Sequence, residues 1–228
     1  MRRRGRGDWG TRGLRARARA LVPCLLSPLL AISCVSGPGA PDDSASVKEI
    51  QAARAEKDRS WSQDPDSPVP PDKRAKILPL KYYPIDEAYS APASLKVYDD
   101  RQVIEMPTST GTPRKMDRVG QLQFSIMGQQ LTLDAFVEDG TQQITQLFVP
   151  FADQTTGSET YGAGRYLDLR PTSTGFYVID FNRAYNPTCA YNPTWECPYP
   201  PPSNRLKIAI RAGEKAPPEQ PAAQTALR

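Results

Sequence analysis

The sequence predicts a mainly β protein, an antiparallel β-barrel or sandwich with one short N-terminal helix, and three observations predict it. Apolar residues keep a helical period over residues 47–61, whereas from residue 77 to 210 they alternate with polar ones. Short alternating runs are separated by Gly, Pro, Asn and Asp clusters, the pattern of strands joined by tight turns. The stretch QLQFSIMGQQLTLDAFV spells a hairpin: Leu122, Phe124 and Ile126 share one face, Gln121, Gln123 and Ser125 the other, and Gly128 supplies the turn. A sheet of this kind buries its apolar face by closing on itself or by stacking on a second sheet.

Taken in order, residues 1–33 have the organisation of a signal peptide. Eight arginines precede residue 20, an apolar run spans residues 20–32, and small residues stand at Ala31 and Ser33. That run is too short to cross a bilayer and holds Pro23 and Pro28. The leader carries +7 of a total of +4, so residues 34–228 are mildly acidic, with a balance of −3. No basic stripe remains to displace counterions, which argues against nucleic acid as a partner. Leu30–Ala31–Ile32–Ser33–Cys34 resembles a bacterial lipobox, so Cys34 is the expected lipidation site, with the membrane as partner through acyl chains. Ala31-x-Ser33 also suits an ordinary signal peptidase cutting at the same bond. The expected location is the cell envelope, after export.

Residues 34–46 are small, polar and rich in Gly and Pro, a flexible tether. Residues 47–61 lack Gly and Pro and predict one amphipathic helix with Ser46 as N-cap and Glu49 three residues on. Four prolines within residues 65–72 end it. Strands are predicted over 77–83, 94–98, 102–108, 114–119, 121–127, 130–137, 144–149, 165–169, 176–181 and 205–211. Residues 47–215 form a single β-rich domain, and 216–228 a disordered Pro/Ala tail.

Two stretches stand out: FVPFADQTTGSETYGAGRYLDL at 148–169 and IDFNRAYNPTCAYNPTWECPYPPPSNRLKIAIRAGEK at 179–215. With KDRSWSQDPDSPVP and LKYYPIDEAYSAPASL upstream, the chain resembles the bacterial and archaeal domain family of unknown function numbered 1684 over residues 48–215. Such a family implies no mechanism, and chemistry must come from the residues.

The chain has no His, which removes Ser-His-Asp hydrolysis and most imidazole acid–base chemistry. With Cys189 and Cys197 alone beyond Cys34, no metal site is expected, and neither is a cofactor. In an exported chain the two thiols are expected to form a disulfide. Gly157, Gly162 and Gly164 mark either tight turns or a ligand-cradling loop. Arg165 shares a strand face with Leu167 and Leu169 and so points inward. If Leu169 pairs with Phe176, Arg165 meets Asp180; one residue of slip sets it against Phe181. It is then either a fold-fixing ion pair or an anion-binding arginine. Ala-Tyr-Asn-Pro-Thr repeats at 184 and 190, an ordered loop that could be a lid or a plug. The leading reading is a non-catalytic ligand-binding or structural role, with Tyr161, Arg165, Asn182, Tyr185 and Asn186 converging at the open end of the barrel. The alternative is a His-independent hydrolase, for which Glu159 and Asp180 are the leading acid–base candidates and Asp153 and Asp168 further ones.

Overall fold

The computed structural model describes residues 43–218. The expected signal peptide, Cys34, residues 34–42 of the tether and residues 219–228 of the tail lie outside them. The described residues open with helix α1 (Asp43–Gln63), which starts before the expected N-cap Ser46, so the last residues of the expected tether are helical. A single helical turn, α2 (Arg74–Ile77), follows the prolines. Six strands complete the fold: β1 (Ser90–Met106), β2 (Arg114–Ile126), β3 (Gln129–Glu138), β4 (Leu147–Phe151), β5 (Arg165–Leu169) and β6 (Tyr177–Asp180). They form one antiparallel sheet in the order β5-β4-β3-β2-β1-β6, curled into a nearly closed barrel. Among the described residues no helix is long and apolar enough to cross a membrane.

The hairpin forms as its alternation dictates. Leu122, Phe124 and Ile126 are buried while Gln123 and Ser125 are exposed, and positive φ at Met127 and Gly128 makes the two-residue turn. Long strands replace several predicted pairs of short ones. The runs 94–98 and 102–108 both fall largely within β1, bent by a register shift between Val97 and Gln102, and 114–119 and 121–127 fuse into β2, which ends at Ile126, across a shift between Arg118 and Gly120. The expected strand 205–211 does not form. Its backbone groups go to side chains and to single bonds instead, among them Leu206 N–H to the Ala152 carbonyl at 2.8 Å. Residues 77–83 likewise make a bridge at Tyr82 rather than a strand. The chain stays docked past residue 215, with Ala216 N–H on the Glu159 carbonyl and Pro217 buried, so the first residues of the expected tail are ordered.

Alternation divides β3, β4 and β5 between two apolar bodies. Leu133, Ala135, Val137, Leu147, Val149, Phe151, Leu167 and Leu169 face the barrel interior. Phe136, Phe148, Tyr166 and Asp168 stand on the outer face of the same strands. A second apolar cluster of Tyr161, Ala163, Tyr166, Cys189, Tyr191, Cys197 and Tyr199 lies there, with Val69, Ile77 and Leu80 from the N-terminal segment. The aromatic loop following β6 therefore covers the outside of the barrel wall.

Candidate functional site

A cavity of about 500 Å³ sits on that outer face between the wall and the loop. Its floor is apolar: Met116 from β2, Phe136 from β3, Phe148 from β4 and Tyr166 from β5, the last two packed edge-on at 4.7 Å. The roof comes from Tyr185, Pro187, Thr188 and Cys197 of the loop, and Thr141, Gln143, Thr145 and Gln146 from the β3–β4 connection close one side. Backbone bonds fix the loop: Tyr166 and Tyr185 exchange N–H···O contacts at 2.9 and 3.1 Å, and Tyr199 N–H reaches the Pro107 carbonyl at 2.7 Å. The Tyr166 hydroxyl donates to the Pro198 carbonyl at 2.6 Å.

One cation and three carboxylates line the space. Arg114 pairs with Glu196 at 3.0 Å and with Glu138 at 3.5 Å, while the Tyr185 hydroxyl donates to Asp168 at 2.8 Å. The formal balance is two negative charges. Burial pushes the Tyr166 and Tyr185 phenols up, so both remain hydroxyl donors at neutral pH. Among the described residues no group of carboxylates and thiols is placed to hold a metal ion.

Five residues expected to converge on a ligand are dispersed. Arg165 is fully buried and pairs with Asp153 at 2.8 Å, while its guanidinium also donates to the carbonyls of Ile210 (2.8 Å), Ala212 and Glu214 (3.3 Å). Both registers proposed for Arg165 are replaced, because β5 pairs with β4, setting Arg165 opposite Phe151, and β6 pairs with β1, setting Asp180 opposite Ser90. Asn182 is held by Asp86 and Asp180 through its side-chain amide. Asn186 uses its N–H on Glu214 and its amide on the Tyr191 hydroxyl and the Lys215 carbonyl. The Tyr161 hydroxyl lies 3.9 Å from the Cys189 sulfur. Tyr185 alone of the five reaches the large cavity, which opens on the barrel's side rather than its end.

A smaller cavity of about 190 Å³ lies between α1 and the barrel, and Tyr185 and Asn182 line it. There Lys57 pairs with the buried carboxylate of Glu214 and lies 4.4 Å from the Trp61 ring centroid. Glu214 also accepts from the Tyr191 hydroxyl at 2.8 Å.

The two hydrolytic candidates have structural partners. Asp180 caps the short turn 181–183 by accepting the Asn182 N–H, and Arg183 lies 3.3 Å away. Glu159 is gripped by Arg211 through three contacts and accepts the Tyr83 hydroxyl; these bonds lower its pKa, Arg211 contributing most. The Gly-rich loop takes its turn reading: Asp153 binds Thr155 N–H and hydroxyl, and Thr155 meets Thr160 at 2.9 Å. Gly164, at φ +89°, passes so near β4 that a Cβ there would sit 2.6 Å from the Phe151 carbonyl. The thiols of Cys189 and Cys197 are free and buried side by side in place of the expected disulfide, with Cys189 N–H donating to the Cys197 sulfur at 3.1 Å.

Sequence reasoning missed Arg114, Glu138 and Glu196 at this site. Glu196 stands inside the distinctive stretch 179–215, beside Cys197, and was open to detection there. Arg114 comes from a strand 82 residues earlier and carries no local signal.

A family model described as Protein of unknown function (DUF1684) matches residues 77–215. The solution structure of an uncharacterized protein of Haloarcula marismortui is 38% identical, covers 76% of this chain and 96% of its own, and superposes with a TM-score of 0.61. No curated protein matches.

Proposed function

The chain belongs to the DUF1684 family, whose description carries no activity, and from its cavity we propose a non-catalytic binding module, exported and held at the cell envelope by acyl chains on Cys34. The observation that carries the reading is the cavity of about 500 Å³, within the ~300–1,000 Å³ range of small-ligand sites, where an aromatic floor meets a few converging polar groups. Three carboxylates against one guanidinium favour a ligand bearing an amine or another cationic group. Phe136, Phe148 and Tyr166 supply the apolar contact that such a ligand needs for its body. The arginine-rich leader and Leu30–Cys34 support export and anchoring.

A native mass spectrum of the protein from its own host's membranes, beside a denatured one, tests the binding. We expect a bound mass that leaves on denaturation and is depleted in the Glu138→Gln/Asp168→Asn double variant. A bare chain, or a bound mass indifferent to both carboxylates, overturns the reading. Cys34→Ala should move the protein from the membrane to the soluble fraction; unchanged fractionation refutes the anchor.

A further inference from the structure

The ligand reading leaves two thiols without a task. Cys197 belongs to the wall of the large cavity, although the residue is 3% exposed. Its sulfur is the atom at issue. It receives the Cys189 N–H at 3.1 Å and stands 3.5 Å from the Thr188 hydroxyl, two donors suited to a negative sulfur. Cys189, buried beside it and absent from the cavity wall, shares the apolar cluster of Tyr161 and Tyr199 with it. The groups facing the pair are the phenols of Tyr161, Tyr166, Tyr185 and Tyr199, which burial keeps protonated, and Arg114, the nearby cation, itself paired with Glu196 and Glu138.

We propose that Cys197 is a nucleophilic thiol opening on the cavity, and that with Cys189 it forms a thiol–disulfide exchange site for small disulfides. The Cys197 thiolate attacks one sulfur of a disulfide RS–SR, the S–S bond breaks, and RS⁻ leaves, giving a mixed disulfide on Cys197. Cys189 then loses its proton to the released thiolate and attacks the Cys197 sulfur, expelling the second RS⁻, which takes up the proton given by Cys197. Two cysteine thiols are oxidised by two electrons, and one disulfide is reduced to two thiols. The division of labour agrees with the electrostatics. Hydrogen bonding from Cys189, then from Thr188 and the Cys189 N–H, with the charge of Arg114, holds the Cys197 thiol below its ordinary value. Donation to Cys197 and burial push Cys189 up. A Cys189–Cys197 disulfide, the state expected of an exported chain, is then the product of the exchange.

This site does not rest on the ligand reading, since a cavity empty of ligand still admits a small disulfide to Cys197. The test uses the full chain with Cys24→Ser and Cys34→Ser, reduced and freed of reductant, with dipyridyl disulfide as probe. Two thiopyridones should be released per chain, leaving an intact mass two hydrogens lighter than the reduced protein. Adding Cys189→Ser should stop the reaction after one release, with the adduct on residue 197. Adding Cys197→Ser should slow it by roughly tenfold or more at neutral pH. The rate of the chain with both thiols intact should rise with a midpoint below the ~8.5 of a free cysteine. Substoichiometric iodoacetamide, which caps a thiol irreversibly, should alkylate Cys197 before Cys189 on the chain with both thiols intact, a readout independent of how either serine variant folds. Equal rates with and without Cys197, two stable adducts, first labelling at Cys189, or reaction only in denaturant overturns the assignment.

Discussion

Arg165 shows how far a single strand face can be read. Its place beside Leu167 and Leu169 predicts an inward guanidinium, and it is fully buried. An inward charge is tolerated only where acceptors surround it, and the acceptors are Asp153 and the carbonyls of Ile210, Ala212 and Glu214, with the Phe151 ring 5.1 Å away. Its partner was not legible, because the partner depends on which strands neighbour β5, and β5 and β6 lie at opposite ends of the strand order. The arginine takes one carbonyl of the expected strand 205–211, that of Ile210, and two just beyond it, those of Ala212 and Glu214. Arg165→Ala strands Asp153 and frees the segment from the barrel, and should lower stability by about 3–5 kcal/mol. Arg170, exposed and bonded to Gln146, should lose less than about 0.5 kcal/mol on the same change. Equal melting temperatures for the two variants would show that the buried network does not hold the segment.

At the level of elements, the junction of β3 and β4 shows the same division. The two strands share a single paired position, Phe136 with Phe148, so much of their facing backbone has no ladder. Asn204 fills the breach: its Oδ1 accepts Asp134 N–H at 2.8 Å, and its Nδ2 donates to the carbonyls of Asp134 and Pro150 at 2.9 and 2.7 Å. A completely buried amide thus stands in for a stretch of strand. Asn204→Ala would orphan buried groups on both strands and should cost about 2–4 kcal/mol. Amide exchange at Asp134 should accelerate with it. Exchange and melting both unchanged would mean that water replaces the side chain. The β2–β3 hairpin was legible because its turn and both strand faces are local. Asn204, in PPPSN, carries no local mark of two strands more than 50 residues away. The cavity divides in the same way: its roof lies in the aromatic stretch after β6, while Arg114 and Phe136 reach it through tertiary folding alone.

Over the whole molecule, the loop and helix pack on the barrel largely through tyrosine, and that packing sets the response to alkali. Burial pushes the phenols of Tyr82, Tyr161, Tyr166, Tyr185 and Tyr191 well above their ordinary value. Below ~10 both folded and unfolded chains keep these protons, and stability does not vary through them. Above it the unfolded chain gives them up while the folded chain retains them, so the unfolded state binds fewer protons and stability falls as pH rises. Each phenol contributes a slope of at most ~1.4 kcal/mol per pH unit, against a total stability of ~5–15 kcal/mol, so the fold should give way within about two units above 10. Tyrosinate absorbance and the loss of far-ultraviolet circular dichroism should therefore rise together in one cooperative step. Tyr191→Phe removes one titrating group and should make the fall in stability with pH shallower, even though losing the bonds to Glu214 and Asn186 lowers stability at neutral pH. Smooth ionisation centred near ~10 with the dichroism intact would place these rings in water, and the loop would then not be packed on the barrel wall as described.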